Sequence, residues 1–131
     1  NTTRVPEGPL LIAGVDILEI ARVRHVAERY GERFYRRVYT AGEIAYCRGR
    51  APNLAGRFAA KEATMKALGT GVRGVSWKDI EVIRADSGAP SVKLHGRAEK
   101  RAERLQVGEI SLSISHSREF AVAFVVAHRE D

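Results

Sequence analysis

GRFAAKEATMKALG, residues 56–69, decides the fold expected of this chain. Its alanine, leucine, lysine and glutamate residues favour an α-helix, and Gly69 is a typical residue for the left-handed turn that ends one. We predict a long helix over residues 54–68, with Asn53 as its N-terminal cap.

Glu62 interrupts the apolar side of the predicted helix. Each helical residue advances about 100° around the axis, which places Glu62 within about 60° of five small or apolar residues. These are Ala55, Phe58, Ala59, Met65 and Gly69. A bare carboxylate in such surroundings is costly. Either an ion pair with Lys66, four residues later, or a functional site compensates the charge, and the pattern leaves both open.

A second carboxylate, Asp16, lies at the end of an apolar run in LLIAGVDILEIAR, residues 10–22. Residues 10–17 have almost no polar alternation, which predicts a strand that is buried on both faces. Asp16 could serve the first turn of the following helix, where a carboxylate offsets the helix dipole. It could also join Glu62, because Mg²⁺ takes carboxylate oxygens and completes its shell with waters and substrate phosphates.

The rest of the chain combines short helices with strand-like runs. Thr40 and Glu43 have the spacing of a capping box, which predicts a helix directly after Thr40. Residues 79–95 read as a hairpin, residues 97–105 as a helix, and the C-terminal segment as two strands whose connecting turn contains His116. This order predicts an α+β domain with antiparallel strands.

The glycine-rich GTGVRG, residues 69–74, formally matches a dinucleotide-binding fingerprint. That fingerprint must follow a strand and open a helix, whereas this stretch follows a helix. We therefore predict a helix stop and a flexible loop.

Composition limits the class of protein and of partner. The 131 residues fit one domain, predicted over residues 10–131, and residues 1–9 are predicted to be either disordered or vector-derived. Membrane insertion is not expected, because no apolar run approaches the roughly 20 residues that span a bilayer. The net charge of +6 favours an anionic partner. The single cysteine, Cys47, excludes an intrachain disulfide and indicates a reducing cytoplasm.

Three segments together resemble the holo-acyl-carrier-protein synthases, the small single-domain 4′-phosphopantetheinyl transferases. They are GVDILEIARVR at residues 14–24, GRFAAKEATMKALG, and ISLSISHSREFAVA at residues 110–123. The resemblance implies an antiparallel sheet packed with a long central helix. It also implies transfer of phosphopantetheine from coenzyme A to a serine of apo acyl carrier protein, with Mg²⁺ as cofactor and release of adenosine 3′,5′-bisphosphate.

The resemblance also implies roles for individual residues. Asp16 and Glu62 would be the metal ligands and, with Lys66, the catalytic residues. Lys66 would in addition contact the diphosphate of coenzyme A. The general base that deprotonates the carrier serine stays open, since Glu62 could act directly or through a water.

Further residues are implied to bind the two substrates. Arg57 and His116 would line the coenzyme A site, whereas Arg22 and Arg29 would contact the carrier protein. Acyl carrier proteins are acidic, which agrees with the net charge of +6. One departure from the family pattern is Val15, where isoleucine is common.

Family members look like homotrimers with coenzyme A bound between subunits, and their reaction belongs to fatty acid biosynthesis in the cytoplasm. Two alternatives compete with this interpretation. A nucleic-acid-binding module would explain the basic charge, but it is disfavoured by 7% aromatic residues and by the lack of a recognisable binding motif. A non-catalytic assembly protein of the same fold would keep the motifs without turnover.

Overall fold

The computed structural model describes residues 10–130, without the side chains at positions 72 and 73. The predicted N-terminal segment, residues 1–9, lies outside the described residues, and the domain boundary at residue 10 stays a prediction. The strands are β1 (Leu11–Glu19), β2 (Ile80–Arg84), β3 (Pro90–Leu94), β4 (Val107–His116) and β5 (Phe120–Arg129). The helices are α1 (Ile20–Tyr30), α2 (Glu32–Val38), α3 (Ala41–Cys47), α4 (Ala51–Leu68), α5 (Gly71–Gly74) and α6 (Gly96–Arg104), with a 3-10 turn at Trp77–Asp79.

A three-stranded antiparallel sheet in the order β1-β5-β4 packs against the long helix α4. Three alanines of α4, namely Ala59, Ala60 and Ala63, are fully buried against the inner side chains of β5, such as Ala123 and Val125. These small side chains let the helix lie close to the sheet. The predicted α+β class, with its antiparallel sheet and central helix, is therefore confirmed.

Gly14 of β1 lies directly against α4. A Cβ atom at this position would lie 1.9 Å from the carbonyl oxygen of Ala63. Only glycine leaves room for so close an approach of two backbones. Asp16 follows two residues later on the same face of the strand, so the approach at Gly14 also brings the carboxylate of Asp16 to the helix.

The second sheet is the predicted hairpin of β2 and β3. Its buried residues Ile80 and Val82 pack against α4, and Ile80 shares a core cluster with Met65 and Leu68 of that helix. Helix α6 closes this end of the molecule through Ala98 and Ala102. Strand β3 also lies beside β4, and Val82 shares a core cluster with Ile110 and Ala123, so both sheets and α4 enclose a common core.

The prediction that residues 10–17 are buried on both faces is wrong. β1 is an edge strand, and only one of its faces packs against α4. On the other face Val15 is 52% exposed and Ile17 is 63% exposed. This outer face of β1 is therefore apolar although no element among residues 10–130 covers it.

Two local predictions at helix ends are also wrong. α4 begins at Ala51, so Asn53 lies inside the helix, and Arg50 occupies the N-cap position. Pro52 explains the earlier start, because proline lacks only a backbone donor that the first helical turn does not use. Gly69 ends α4 with a φ of 70°, as predicted, but the expected loop after it contains the short helix α5.

The capping box at Thr40 is confirmed: its hydroxyl accepts a hydrogen bond from the backbone N–H of Glu43, and the carboxylate of Glu43 accepts one from the backbone N–H of Thr40. Helix α2 was not predicted, since Gly31 breaks the helical phase with a φ of 52°.

No helix within residues 10–130 is both long and apolar enough to cross a membrane.

Candidate active site

A pocket of about 450 Å³ opens between β1, α1 and α4. Asp16 of β1, Glu62 and Lys66 of α4, and Arg22 of α1 all line it. Its apolar wall is formed by Ile17, Leu18, Val23, Val26, Phe34 and Phe58. The fold thus brings together four of the seven residues to which the sequence assigned a role.

Lys66 forms an ion pair with Asp16 rather than with Glu62. Its Nζ atom lies 3.0 Å from Oδ1 of Asp16 and donates a second hydrogen bond, also 3.0 Å long, to the carbonyl oxygen of Val15. The alternative of an ion pair between Glu62 and Lys66 within the helix is wrong: no such pair is found among residues 10–130. Lys66 instead connects α4 to β1.

Asp16 lies inside β1, where it pairs with Ala123 of β5 and faces α4. The alternative that it serves the first turn of α1 is wrong, because the strand continues to Glu19, which is the N-cap residue. Its side chain is 15% exposed, whereas that of Lys66 is 55% exposed. A largely buried carboxylate therefore meets an accessible ammonium group at the edge of the pocket.

Glu62 is half-buried beside these two groups. Burial raises the pKa of its carboxyl group, the negative charge of Asp16 raises the pKa further, and Lys66 opposes the shift. Lys66 therefore offsets only part of the effect that burial and the negative charge of Asp16 have on the pKa of Glu62. A cation bound between the carboxylates would relieve this repulsion.

The donor set at the pocket fits Mg²⁺ better than a metal that needs a complete protein shell. Among residues 10–130 no group of three or more His, Cys, Asp or Glu side chains could hold a metal ion. Mg²⁺ is commonly bound by one or two carboxylates, with waters and substrate phosphates as its other ligands. Asp16 and Glu62 supply two such carboxylates to one pocket.

The other three predicted residues lie elsewhere. Arg57, on another side of α4, is only 6% exposed, and its guanidinium group stacks on the ring of Tyr46. His116 ends β4 as an exposed residue, and Arg29 is exposed in the last turn of α1, where it contacts Tyr30. None of the three lines the pocket of Asp16 and Glu62.

The sequence analysis missed a buried ion pair next to the site. The Nζ atom of Lys61 lies 2.7 Å from Oε1 of Glu43, and both side chains have no exposed surface. Lys61 also donates to the carbonyl oxygens of Trp77 and Ile80, and Glu43 accepts a hydrogen bond from the backbone N–H of Val82. This network joins α3, α4 and β2.

Burial lowers the pKa of Lys61, and the carboxylate of Glu43 opposes that shift. Because the network fixes the rotation of α4, it also fixes the direction of the neighbouring Glu62. The signal in the sequence was the run of small residues around Lys61, which predicts burial on all sides of the helix. A lysine in such a run needs a buried partner.

Comparison with known proteins identifies the family of this chain. The family model of the 4′-phosphopantetheinyl transferase superfamily matches residues 13–125. The chain belongs to this superfamily. Asp16, Glu62, Lys66 and His116 all fall within the matched residues.

Relatives of this chain share the name holo-[acyl-carrier-protein] synthase. The holo-[acyl-carrier-protein] synthase of Herpetosiphon aurantiacus is 46% identical over 124 residues, which cover 89% of this chain and 98% of the relative. That of Gloeobacter violaceus is 52% identical over 116 residues, covering 86% and 88%. The crystal structure of the Helicobacter pylori holo-[acyl-carrier-protein] synthase in complex with coenzyme A has a TM-score of 0.81 and 33% identity. That match covers 88% of this chain and 99% of the other.

Proposed function

We propose that this chain transfers 4′-phosphopantetheine from coenzyme A to a serine of apo acyl carrier protein, giving holo acyl carrier protein and adenosine 3′,5′-bisphosphate. The convergence of Asp16, Glu62 and Lys66 in one pocket carries this proposal. The names of the bacterial relatives and the coenzyme A in the Helicobacter pylori structure support the identity of both substrates.

Asp16 and Glu62 would hold Mg²⁺. Held there, Mg²⁺ would supply positive charge against the diphosphate of coenzyme A. The raised pKa of Glu62, caused by burial and by Asp16, supports the assignment, because two repelling carboxylates in a partly closed pocket favour a cation between them. Dependence on Mg²⁺ is part of the proposal and is tested below with a chelator.

Lys66 would bind the diphosphate. An ammonium group has three donors, and the bonds to Asp16 and Val15 use two of them. The third remains for a phosphate oxygen. In the reaction the serine hydroxyl oxygen forms a bond to the phosphorus that carries the pantetheine arm, and the bond from that phosphorus to the oxygen of the departing bisphosphate breaks. The negative charge that develops on the departing oxygen is stabilised by the lysine.

The proton of the attacking serine needs an acceptor. Glu62 is the candidate general base, since its carboxyl group has a raised pKa and lines the same pocket. The serine must reach this pocket from the carrier protein. Arg22 at the pocket and Arg29, two turns further along α1, present positive charge on the side from which an acidic carrier would approach.

The coenzyme A site would be completed by a second copy of the chain. Arg57 and His116 do not reach the pocket of their own chain, and the outer face of the sheet presents exposed Val15, Ile17 and Phe124. An exposed apolar patch of this kind is typical of an interface. We infer a homotrimer in which the carboxylates of one chain and the arginine and histidine of its neighbour share one substrate.

Intact-protein mass spectrometry of an apo acyl carrier protein, incubated with this chain, coenzyme A and Mg²⁺, tests the proposed function. The expected result is a mass gain of one phosphopantetheine that disappears when EDTA is added. No gain with several carrier proteins would contradict transferase activity and favour a non-catalytic assembly role. We place the reaction in cytoplasmic fatty acid biosynthesis; a gain seen with polyketide carriers but not fatty-acid carriers would overturn that placement.

A further inference from the structure

Glu62, unlike Asp16, has no neighbouring group that orients its carboxylate. Asp16 accepts a hydrogen bond of 3.0 Å from Lys66, whereas no hydrogen bond to the Glu62 carboxylate is found among residues 10–130. Carboxylates that bind a metal are usually held by hydrogen bonds from groups around them. The direction of Glu62 therefore depends on the rotation of α4 about its own axis.

Packing against the sheet leaves the rotation of α4 poorly defined near Glu62. The helix meets the sheet there through Ala59, Ala60 and Ala63, whose small side chains form only shallow ridges. A rotation of about 20° would move a carboxylate that lies roughly 6 Å from the helix axis by about 2 Å. A metal site tolerates much less, since its ligand distances vary by only about 0.2 Å.

Lys61, the residue before Glu62, is bound to three other elements. Its side chain has no exposed surface, and its Nζ atom donates to Oε1 of Glu43 at 2.7 Å. The same atom donates to the carbonyl oxygens of Trp77, at 3.1 Å, and of Ile80. An ammonium group has three donors, so all of them are used. Because the acceptors lie on α3, on the 3-10 turn and on β2, they define both the position and the rotation of α4 at this residue.

Glu43 is itself held in place by the backbone. Its carboxylate also accepts hydrogen bonds from the N–H groups of Thr40 and Val82, at 2.9 Å and 2.8 Å. Replacing a buried ion pair by apolar residues of similar volume often leaves stability unchanged or raises it. Stability alone therefore does not require an ion pair at this place, whereas a fixed orientation of the helix requires directional bonds.

The ammonium group of Lys61 also supports the apolar wall of the pocket. The ring of Trp77, whose carbonyl oxygen accepts from Lys61, packs on the ring of Phe58 with the two centroids 4.9 Å apart. Phe58 lines the pocket and lies four residues before Glu62, on the same face of α4. One buried lysine thus holds the carboxylate and the adjoining aromatic side chain.

We propose that Lys61 is a positioning residue that, through its bonds to Glu43 and Trp77, holds Glu62 and Phe58 in place at the pocket. The inference rests on the proposed function and deepens it. Lys61 itself has no exposed surface and does not line the pocket, so it acts only through its neighbours. Without the ammonium group α4 can turn, which weakens the cation site and slows the chemical step but leaves the carrier surface of α1 unchanged.

Titration with Mn²⁺ in the presence of coenzyme A, followed by electron paramagnetic resonance, measures the cation site without turnover. Mn²⁺ prefers the same oxygen ligands as Mg²⁺. Lys61→Met keeps most of the side-chain length but lacks the ammonium group, and it is expected to weaken Mn²⁺ binding about tenfold. Unchanged Mn²⁺ affinity would overturn the proposal.

Kinetics with Mg²⁺ and an apo acyl carrier protein give a second measurement on Lys61→Met. The kcat should fall about tenfold or more, whereas the KM for the carrier protein should change by less than about twofold. General damage to the fold would alter both constants. Equal changes in kcat and KM would therefore contradict a positioning role.

A double variant, Lys61→Met with Glu43→Gln, separates positioning from support of the fold. No charge is left buried alone in this variant, so its stability to denaturant should lie close to that of the unmodified chain. It also keeps the test informative if Lys61→Met does not fold. Positioning predicts that Mn²⁺ affinity and kcat stay low, because the directional bonds are still missing. Normal values of both would show that the pair serves stability alone.

Leu68→Ala is the matched control. Leu68 is the last residue of α4, and its fully buried side chain packs in a cluster with Ile80 and Ala98 and not at the pocket. The change lowers stability by leaving a cavity, but it retains the bonds of Lys61. Mn²⁺ affinity and kcat should stay within about twofold of normal. A loss as large as that of Lys61→Met would contradict a specific role of Lys61.

The positioning role and the proposed function fail in different ways. Mn²⁺ binding requires neither a carrier protein nor turnover. If the mass assay shows no transfer while Mn²⁺ affinity still depends on Lys61, the proposed function fails and the positioning role stands. If transfer occurs and the Lys61 variants bind Mn²⁺ and react normally, the positioning role fails alone. No Mn²⁺ binding by the unmodified chain would overturn the cation site and the positioning role together.

Discussion

The residue types on the two faces of the three-stranded sheet are the opposite of those that the surroundings of each face favour. The inner face packs against α4 and yet contains an ionisable residue, Asp16. The outer face has no covering element among residues 10–130 and yet is apolar, with Phe124 47% exposed beside Val15. Val15 and Asp16, which are successive residues of β1, therefore reverse the usual alternation, in which hydrophobic side chains face the core and polar side chains face solvent.

Each exception to this alternation costs free energy, and a binding partner on that face would remove the cost. A carboxylate facing the core is costly without a compensating cation, and an apolar surface facing water is costly without a second protein. The proposed metal and phosphate site would remove the cost of the inner face, and the proposed assembly with other copies of the chain would remove that of the outer face. The predictions below alter one face at a time.

The largest effect is expected from neutralising the inner carboxylates. Asp16→Asn and Glu62→Gln should each lower the rate of transfer by about 10³-fold or more while the fold is retained, because each removes one of the two carboxylates proposed to hold the cation at the diphosphate. The mass assay on acyl carrier protein measures this. Glu99→Gln, on the exposed surface of α6, is the control and should react at the normal rate. Full activity of either inner variant would refute the site.

Charging the outer face should break the assembly. Phe124→Glu places a carboxylate at the middle of the apolar surface, where burial against another chain would be prohibitive. Light scattering after gel filtration should give the mass of one chain for this variant and of three chains for the unmodified protein. Lys93→Glu, an exposed change on β3, should leave the assembly intact. A Phe124→Glu variant that still forms trimers would contradict the outer face as the interface.

Gly14→Ala tests the contact between the inner face and α4. The added methyl group would overlap the carbonyl oxygen of Ala63, so β1 must move away from the helix. We expect a loss of about 1–3 kcal/mol in the free energy of unfolding, measured by chemical denaturation. Gly108→Ala in β4 is the control, since its nearest heavy atoms would lie 3.8 Å away. Equal stability of the two variants would show that the approach at Gly14 is not tight.

Lys66→Ala and Arg22→Ala should separate the chemical step of transfer from the docking of the carrier protein. We expect about tenfold effects, with Lys66→Ala acting mainly on kcat and Arg22→Ala mainly on the KM for the carrier protein. The reason is that Lys66, which pairs with Asp16, is proposed to bind the phosphate, whereas Arg22 of α1 lines the pocket and is proposed to contact the carrier protein. Identical changes in both constants for the two variants would undermine this division of roles.

The smallest effect concerns stability and pH. Because burial and Asp16 raise the pKa of Glu62, ionised Glu62 destabilises the fold above its ordinary pKa of 4.5. Glu62→Gln in EDTA should therefore melt at a slightly higher temperature than the unmodified chain at pH 7, and the gain should vanish as the pH falls below 4.5. A lower melting temperature at pH 7 would contradict the cost assigned to the inner face.

Glu81→Gln is the opposite control. Burial would raise the pKa of Glu81, but hydrogen bonds from His95 and Thr40 outweigh it and lower the pKa below 4.5. The stability from this lowered pKa is present above pH 4.5 and is lost as the pH falls through the lowered pKa. Glu81→Gln should thus melt lower than the unmodified chain at pH 7.

Much of the inner site could be predicted from sequence, but the outer face could not. Asp16 and Glu62 were identified because carboxylates in apolar stretches demand compensation, and the motifs supplied Lys66. The apolar run around Val15 was read as a strand buried on both faces, since burial by the same chain and burial by a neighbour leave the same pattern of residues.

Contacts between distant segments were also out of reach. The preference of Lys66 for Asp16 over Glu62 depends on how closely β1 approaches α4 at Gly14, a distance that no local pattern encodes. The meeting of Tyr46 with Arg57 and Arg84 likewise joins elements that are far apart in the chain. Helix ends were missed by a few residues, as at Asn53, because a proline in the first turn permits an earlier start.

A complementation assay tests most directly the central claim that one active site is built from two chains. Asp16→Asn and Arg57→Ala chains, each inactive alone, are mixed in equal amounts, unfolded and refolded together, and assayed for transfer. Random assembly of cyclic trimers should restore about a quarter of the normal activity, because about a quarter of the interfaces then combine an intact carboxylate side with an intact arginine side. Activity no greater than that of the separate variants would contradict the shared site.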